Sequence, residues 1–167
     1  MKKVILLVSF ISFLTACSST EDGDSTSEDS FNRTALLTHW ADNIIVPSYE
    51  NYSNKLVAFS ADVTAFENNP TGENLGKMRT SWALTYESYQ QVALFNIGKA
   101  AEINFKEATN TYPTDVSGIQ QNIETGNYDL EGLSQFSKQG FPAFDYLLNG
   151  LGNTDAEILS FYTTNDN

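Results

Sequence analysis

The feature that most constrains the fold is a long apolar stripe that repeats with the period of an α-helix. Between residues 34 and 68, apolar side chains recur mostly at steps of three and four, which places them on one face of a helix. The stripe comprises Leu36, Trp40, Ile44, Tyr52, Leu56, Phe59, Val63 and Phe66. Pro47 lies inside this pattern, and proline lacks the amide hydrogen that an interior helical turn requires. We therefore expect the helix to kink or restart there.

A second stripe begins after the turn-forming run Asn-Asn-Pro-Thr-Gly at 68–72 and is predicted to form a helix as far as residue 97. Its members are Leu75, Met78, Trp82, Tyr86, Tyr89, Ala93 and Asn96. Two long helices joined by so short a link are expected to pack as an antiparallel hairpin. The tyrosines of this region, together with Tyr49 and Tyr52, are expected mainly in the core and at its boundary.

The rest of the chain predicts shorter helices and no strand pair. A loop is expected at 111–115, and a helix capped by Asp115 or Ser117 is expected to close near Gly126. Further helical segments are predicted at 100–108, 130–138, 141–148 and 155–162. The sequence therefore predicts an all-α fold, an up-down helical bundle, and its hydrophobic content of 41% suits a packed core.

The amino terminus indicates export and lipid attachment. Lys2 and Lys3 precede an apolar run at 4–14 that is too short to span a bilayer comfortably. The run ends in Leu-Thr-Ala-Cys, which resembles the lipobox of bacterial lipoproteins. We therefore expect a signal peptide at 1–16 and acyl chains on Cys17, which would join the protein to a membrane.

The segment that follows the cysteine is polar and acidic. Residues 18–30 contain no apolar side chain, so 17–30 is expected to be the lipidated cysteine and a flexible acidic tether. Ser18 and Ser19 resemble the residues that direct lipoproteins to an outer membrane. The expected location is the cell envelope, as an outer-membrane lipoprotein that faces the periplasm or the cell surface.

Charge and residue counts exclude several kinds of partner and site. The chain has 9 basic and 21 acidic residues and a net charge of −12, so we exclude nucleic acid as a partner. Cys17 is the sole cysteine, which rules out a disulfide within the chain and a cysteine-based metal centre. His39 is the sole histidine and is expected to be structural or exposed. The run from Gly72 to Lys77 lacks the spacing of a phosphate-binding loop and is predicted to be a turn and a helix start.

Four segments in order resemble the imelysin-like family of bacterial envelope proteins. They are Ile-Ile-Val-Pro-Ser-Tyr at 44–49, Arg-Thr-Ser-Trp at 79–82, Tyr-Pro-Thr-Asp at 112–115, and Gly-Phe-Pro-Ala-Phe-Asp-Tyr-Leu-Leu-Asn-Gly at 140–150. The resemblance covers about 35–162. It implies two helical bundles related as a duplication, so 31–167 corresponds to the first half and is expected to be an incomplete copy.

The family signature Gly-x-His-x-x-Glu, proposed to bind metal, is altered here. The matching residues are Gly140, Pro142 in place of histidine, and Asp145 in place of glutamate. We therefore assign no catalytic residue and no metal ligand. The resemblance implies that Gly140, Pro142, Asp145 and Tyr146 line a ligand cleft.

Three functions remain open at this point. The first is a non-enzymatic binding lipoprotein that works with an envelope uptake partner; the sequence predicts no resident cofactor, and the resemblance implies iron or haem as the ligand. The second is a metallopeptidase, as the first descriptions of the family imply, which would need about three protein ligands for its metal. The third is a structural or adhesin-like surface lipoprotein without a small ligand.

Overall fold

The computed structural model describes residues 30–163. The predicted signal peptide, Cys17 and nearly all of the acidic tether lie outside these residues. Within them the secondary structure is helical and no strand is formed. None of the helices in this part of the chain is both long and apolar enough to cross a membrane.

The first helical stripe forms a helix that changes its winding before the proline. Helix α1 spans Arg33–Trp40, a π-helical turn spans Ala41–Ile45, and helix α2 spans Val46–Asn68. In the widened turn the Val46 amide donates to the carbonyl of Ala41, five residues back. Pro47 then lies in the first turn of α2, where its missing amide hydrogen costs nothing. The expected restart at Pro47 is confirmed.

Helices α2 and α3 form the central hairpin. Helix α3 spans Gly72–Val92, and the Thr71 hydroxyl caps its start by accepting from the Asn74 amide. The Thr85 hydroxyl donates to the Lys55 carbonyl, while the Asn74 side chain donates to the Ala65 carbonyl. Because residues late in α2 contact residues early in α3, the two helices run antiparallel, as predicted. The run at 72–77 is a helix start.

Shorter helices pack around this hairpin. The elements after α3 are α4 Lys99–Glu102, α5 Phe105–Thr109, α6 Val116–Thr125, a 3-10 helix Leu133–Lys138, α7 Gly140–Asp145, a π-helical turn Tyr146–Gly150 and α8 Asp155–Thr163. Helix α6 is capped by the Asp115 carboxylate, which accepts from the Gly118 amide, and it closes at Gly126 with a φ of 62°. The all-α helical bundle is therefore confirmed.

Two groups of buried side chains make the core. The first lies near the tip of the hairpin and consists of Phe59, Phe66, Leu75, Met78, Leu148 and Ile158. The second lies toward the open end and consists of Tyr52, Tyr89, Val92 and Phe141. Trp82 packs against both groups, which joins them along α3.

An arginine holds the last two elements against the hairpin. Arg79 of α3 donates from Nε and Nη2 to the carbonyl of Leu148, at 3.1 and 2.8 Å. Its Nη1 lies 2.8 Å from Oδ1 of Asp155, the first residue of α8. One guanidinium thus ties together three elements, each of which supplies residues to the first core group.

The structure adds two details to the first stripe and corrects the end of the second helix. Trp40 and Ile44 are 48% and 45% exposed. Helix α3, with 21 residues, is long enough to pack along α2 but not along the preceding helix α1, which extends beyond the hairpin. Leu56 is 38% exposed and lies at the margin of the buried face of α2. The second helix ends at Val92, five residues before the predicted end at residue 97. Gly98, which follows, has a φ of 55°.

The helix predicted at 100–108 is also interrupted. Asn104 adopts a left-handed conformation with a φ of 52°, which asparagine tolerates better than most residues. This residue separates α4 from α5, so two single turns replace one helix.

Candidate ligand cavity

A cavity of about 610 Å³ opens beside the tip of the hairpin. The end of α2, the middle of α3, the loop at 126–132, the segment 138–148 and α8 all contribute to its wall. Its apolar lining consists of Val63, Phe66, Pro70, Met78, Tyr128, Leu130, Ala143, Phe144, Leu147, Leu148 and Tyr162. A size of this order and a mainly apolar lining are typical of sites for small organic ligands.

Polar groups occur at a few points of the wall. The charged lining residues are Glu67, which is exposed, and Lys138, whose side chain is 19% exposed. The Tyr162 hydroxyl donates to the Leu147 carbonyl at 2.8 Å. Burial raises the pKa of Tyr162 to about 12, against a smaller opposing effect of Arg79. Tyr162 therefore stays neutral at physiological pH.

Lys138 has only a loose ion-pair partner. Its Nζ lies 4.0 Å from Oδ2 of Asp115, at the outer limit for an ion pair. The Asp115 carboxylate is already engaged, because its Oδ1 accepts from the Gly118 amide at 2.9 Å. The Lys138 stem passes beside Gly118, which leaves no room for a side chain there. The Lys138 side chain thus contributes to the cavity wall, and its ammonium group lies beside the start of α6.

Gly140 sets the course of the wall segment. Its φ is 75°, a left-handed conformation that residues with a Cβ rarely adopt, and a Cβ there would collide with the backbone of Thr109. This close approach packs the start of α7 against α5. Gly140 is thus required for the backbone path that carries Ala143, Phe144 and Leu147 to the cavity.

The four residues expected to line a cleft are placed differently from one another. Gly140 lines the large cavity. Pro142 is buried in the first turn of α7. Asp145 is exposed and accepts from the Asn149 side chain at 3.0 Å, while the Tyr146 hydroxyl accepts from Gln120 at 2.9 Å. Their assignment to a cleft stays a prediction.

The residues at the family-signature positions do not form a set of metal ligands. Pro142 has no ligating atom, and Asp145 is held by an amide rather than by a second carboxylate. Among residues 30–163, no group of three or more histidine, cysteine, aspartate or glutamate side chains is close enough to hold a metal ion. His39 is exposed on α1, where its ring lies 3.2 Å from the Asn43 amide nitrogen.

A second cluster, made of aromatic rings, surrounds Phe141 at the open end of the hairpin. Tyr86 and Tyr89 lie with their ring centres 5.1 and 5.3 Å from that of Phe141. Burial raises the pKa of Tyr52 to about 12, and neighbouring Tyr89 and Tyr49 add to the effect. Tyr52 and Tyr89 are therefore core residues, as expected. Tyr49 instead borders a smaller cavity of about 370 Å³ beside Phe95 and Ile97.

The sequence reasoning missed most of the large cavity. Tyr128, Leu130 and Lys138 come from a region that showed only weak helical periodicity. Tyr128 and Leu130 share one signal, which is their placement in a loop rich in Gly, Asn and Asp, where solvent-facing side chains are expected. Lys138 could not be assigned from sequence, because its burial depends on a contact with Gly118, 20 residues away in the chain.

Comparison with known proteins identifies the family. The family model described as imelysin, peptidase family M75, matches residues 45–163. A curated relative from Synechococcus elongatus, named "Iron-regulated protein A", is 26% identical over 119 residues, which cover 68% of this chain and 32% of the relative. The chain thus spans about a third of that relative's length. No solved structure matches it significantly. Because the family match covers well over half of the 167-residue chain, this protein belongs to the imelysin family.

Proposed function

We propose that this chain is a non-enzymatic binding component of the cell envelope with a role in iron handling. The iron link rests on the relative named for iron regulation and on the shared family. The envelope assignment rests on the signal-like amino terminus, with acyl chains such as palmitate on Cys17 as the anchor. An envelope uptake protein is the proposed partner.

The observation that favours binding over catalysis is Pro142. It occupies the position of the histidine in the family signature and is buried without a ligating atom. Hydrolysis by a metal-activated water needs about three protein ligands and an open coordination position. Asp145, the one acidic residue of this signature, cannot supply that set. The apolar cavity beside the same segment offers a volume suited to a ligand.

A deletion strain of the native host tests the iron role. We expect slower growth than the parent under iron limitation and equal growth in iron-replete medium, with recovery when the intact gene is restored. Restoration with a Cys17→Ser variant is expected to fail, because the protein would lose its anchor. Equal growth of deletion and parent strains under iron limitation would contradict the proposal and favour a structural or adhesin-like role.

A peptidase assay separates the binding role from the enzymatic alternative. Purified protein is expected to leave unfolded protein substrates intact with and without added divalent metal. Proteolysis that copurifies with the chain and disappears with a chelator would refute the non-enzymatic assignment.

A further inference from the structure

We propose that the cavity of about 610 Å³ binds an amphiphile with one long apolar body and a single anionic head, of the class represented by long-chain fatty acids. This inference rests on the proposed non-enzymatic binding role; it assigns a ligand class to this cavity and does not place iron in it. Two features of the wall carry it: the mainly apolar lining and the presence of Lys138.

The apolar lining accounts for the body of the ligand. Both aliphatic and aromatic side chains line the cavity, among them Val63, Leu147 and Phe144. Phe66 and Tyr162 close one side as an edge-to-face pair with ring centres 4.8 Å apart. Removing this apolar surface from water favours an apolar occupant.

The charges on the wall account for the head. The Lys138 side chain is mostly buried, so its attraction for an anion acts through a medium of lower polarity than water. Glu67 is exposed, so water weakens its repulsion of the same anion. The 4.0 Å separation from Asp115 leaves the ammonium free to turn toward a closer anion. A ligand carboxylate at normal hydrogen-bond distance would be the stronger partner.

The composition of the wall also decides against a bare metal ion as the occupant. Glu67 is the single carboxylate among the lining residues, and the remaining polar side chains are one amide, two phenols and one lysine. A hard cation prefers six or more oxygen ligands or several carboxylates. An ammonium group in the wall would in addition repel it.

Titration with palmitate by calorimetry tests the proposal directly. The protein is the expected mature sequence from residue 18 to 167, which lacks the apolar signal run and the acylated cysteine and is handled without detergent. We expect saturable binding of one palmitate per chain and weaker binding of hexadecanol, which has the same body without the charge. Lys138→Met is expected to weaken palmitate binding about tenfold and to leave hexadecanol unchanged, whereas Lys106→Met, at an exposed lysine outside the cavity, changes neither.

A second pair of variants tests the apolar wall. Leu130→Asp places a charge on the lining loop and is expected to abolish palmitate binding, while Leu133→Asp, at a residue 70% exposed and outside the lining, retains it. Circular dichroism checks the fold of each variant. Failure of the parent protein to bind palmitate would overturn the ligand class, and so would equal binding by the two lysine variants. Neither result would touch the iron role, because growth under iron limitation measures that separately.

Discussion

Replacing Arg79 should loosen the attachment of the last two elements to the hairpin. The guanidinium donates two hydrogen bonds to the carbonyl of Leu148, a residue that is 1% exposed. Arg79→Met keeps most of the side-chain stem but removes both donors. A hydrogen bond from a charged group contributes about 1.5–3 kcal/mol, and a buried carbonyl that loses its partner costs a similar amount. We therefore expect the free energy of unfolding to fall by about 2–4 kcal/mol.

The ion pair of Arg79 with Asp155 should contribute much less. The Asp155 side chain is 59% exposed, and ion pairs in contact with water are worth about 0–1 kcal/mol. Asp155→Asn is therefore the matched control, with an expected loss below about 1 kcal/mol. Urea unfolding followed by circular dichroism measures both variants against the parent. If Arg79→Met cost no more than Asp155→Asn, the account of Arg79 as a tie between three elements would be refuted.

Three further changes test the core, the wall and a helix cap. Burial raises the pKa of Tyr52 from 10.0 to about 12, so the unfolded chain loses this proton at lower pH than the folded protein. The free energy of unfolding therefore falls as pH rises from 10 to 12, and Tyr52→Phe should remove about 2–3 kcal/mol of that fall, measured by urea unfolding at alkaline pH. Gly140→Ala should lower the free energy of unfolding by about 2–4 kcal/mol, because the residue has a positive φ and a Cβ there would collide with the Thr109 backbone. Gly76→Ala, which places its Cβ in open space on α3, should raise the free energy of unfolding by about 0.5–1 kcal/mol; thermal unfolding measures both. Asp115→Ala should cost about 1 kcal/mol in urea unfolding, because the Gly118 amide loses its cap.

The hairpin could be predicted from sequence because its information is local. Steps of three and four between apolar residues predict both helices, and the short Pro-Thr-Gly turn between them predicts that they run antiparallel. The same local pattern did not reveal the exposure of Trp40 and Ile44. Periodicity shows which side of a helix is apolar, but it does not show whether another element covers that side.

The candidate site could be predicted only in part because it depends on distant contacts. Gly140 was identified from the family resemblance, and it does line the large cavity. Tyr128 and Lys138 join it from separate segments, and nothing in their own neighbourhoods indicates that meeting. The bond from Arg79 to the Leu148 carbonyl spans 69 residues and leaves no local pattern in the sequence.

The most direct test of the central claim is an equilibrium titration of the purified chain with ferrous and ferric salts and with haem, with circular dichroism as the check on folding. The account predicts saturable binding of at least one of these forms of iron by the folded protein, with no hydrolysis of peptide substrates in the same samples. A folded protein that shows no saturable binding of any of the three would contradict the proposed role in iron handling.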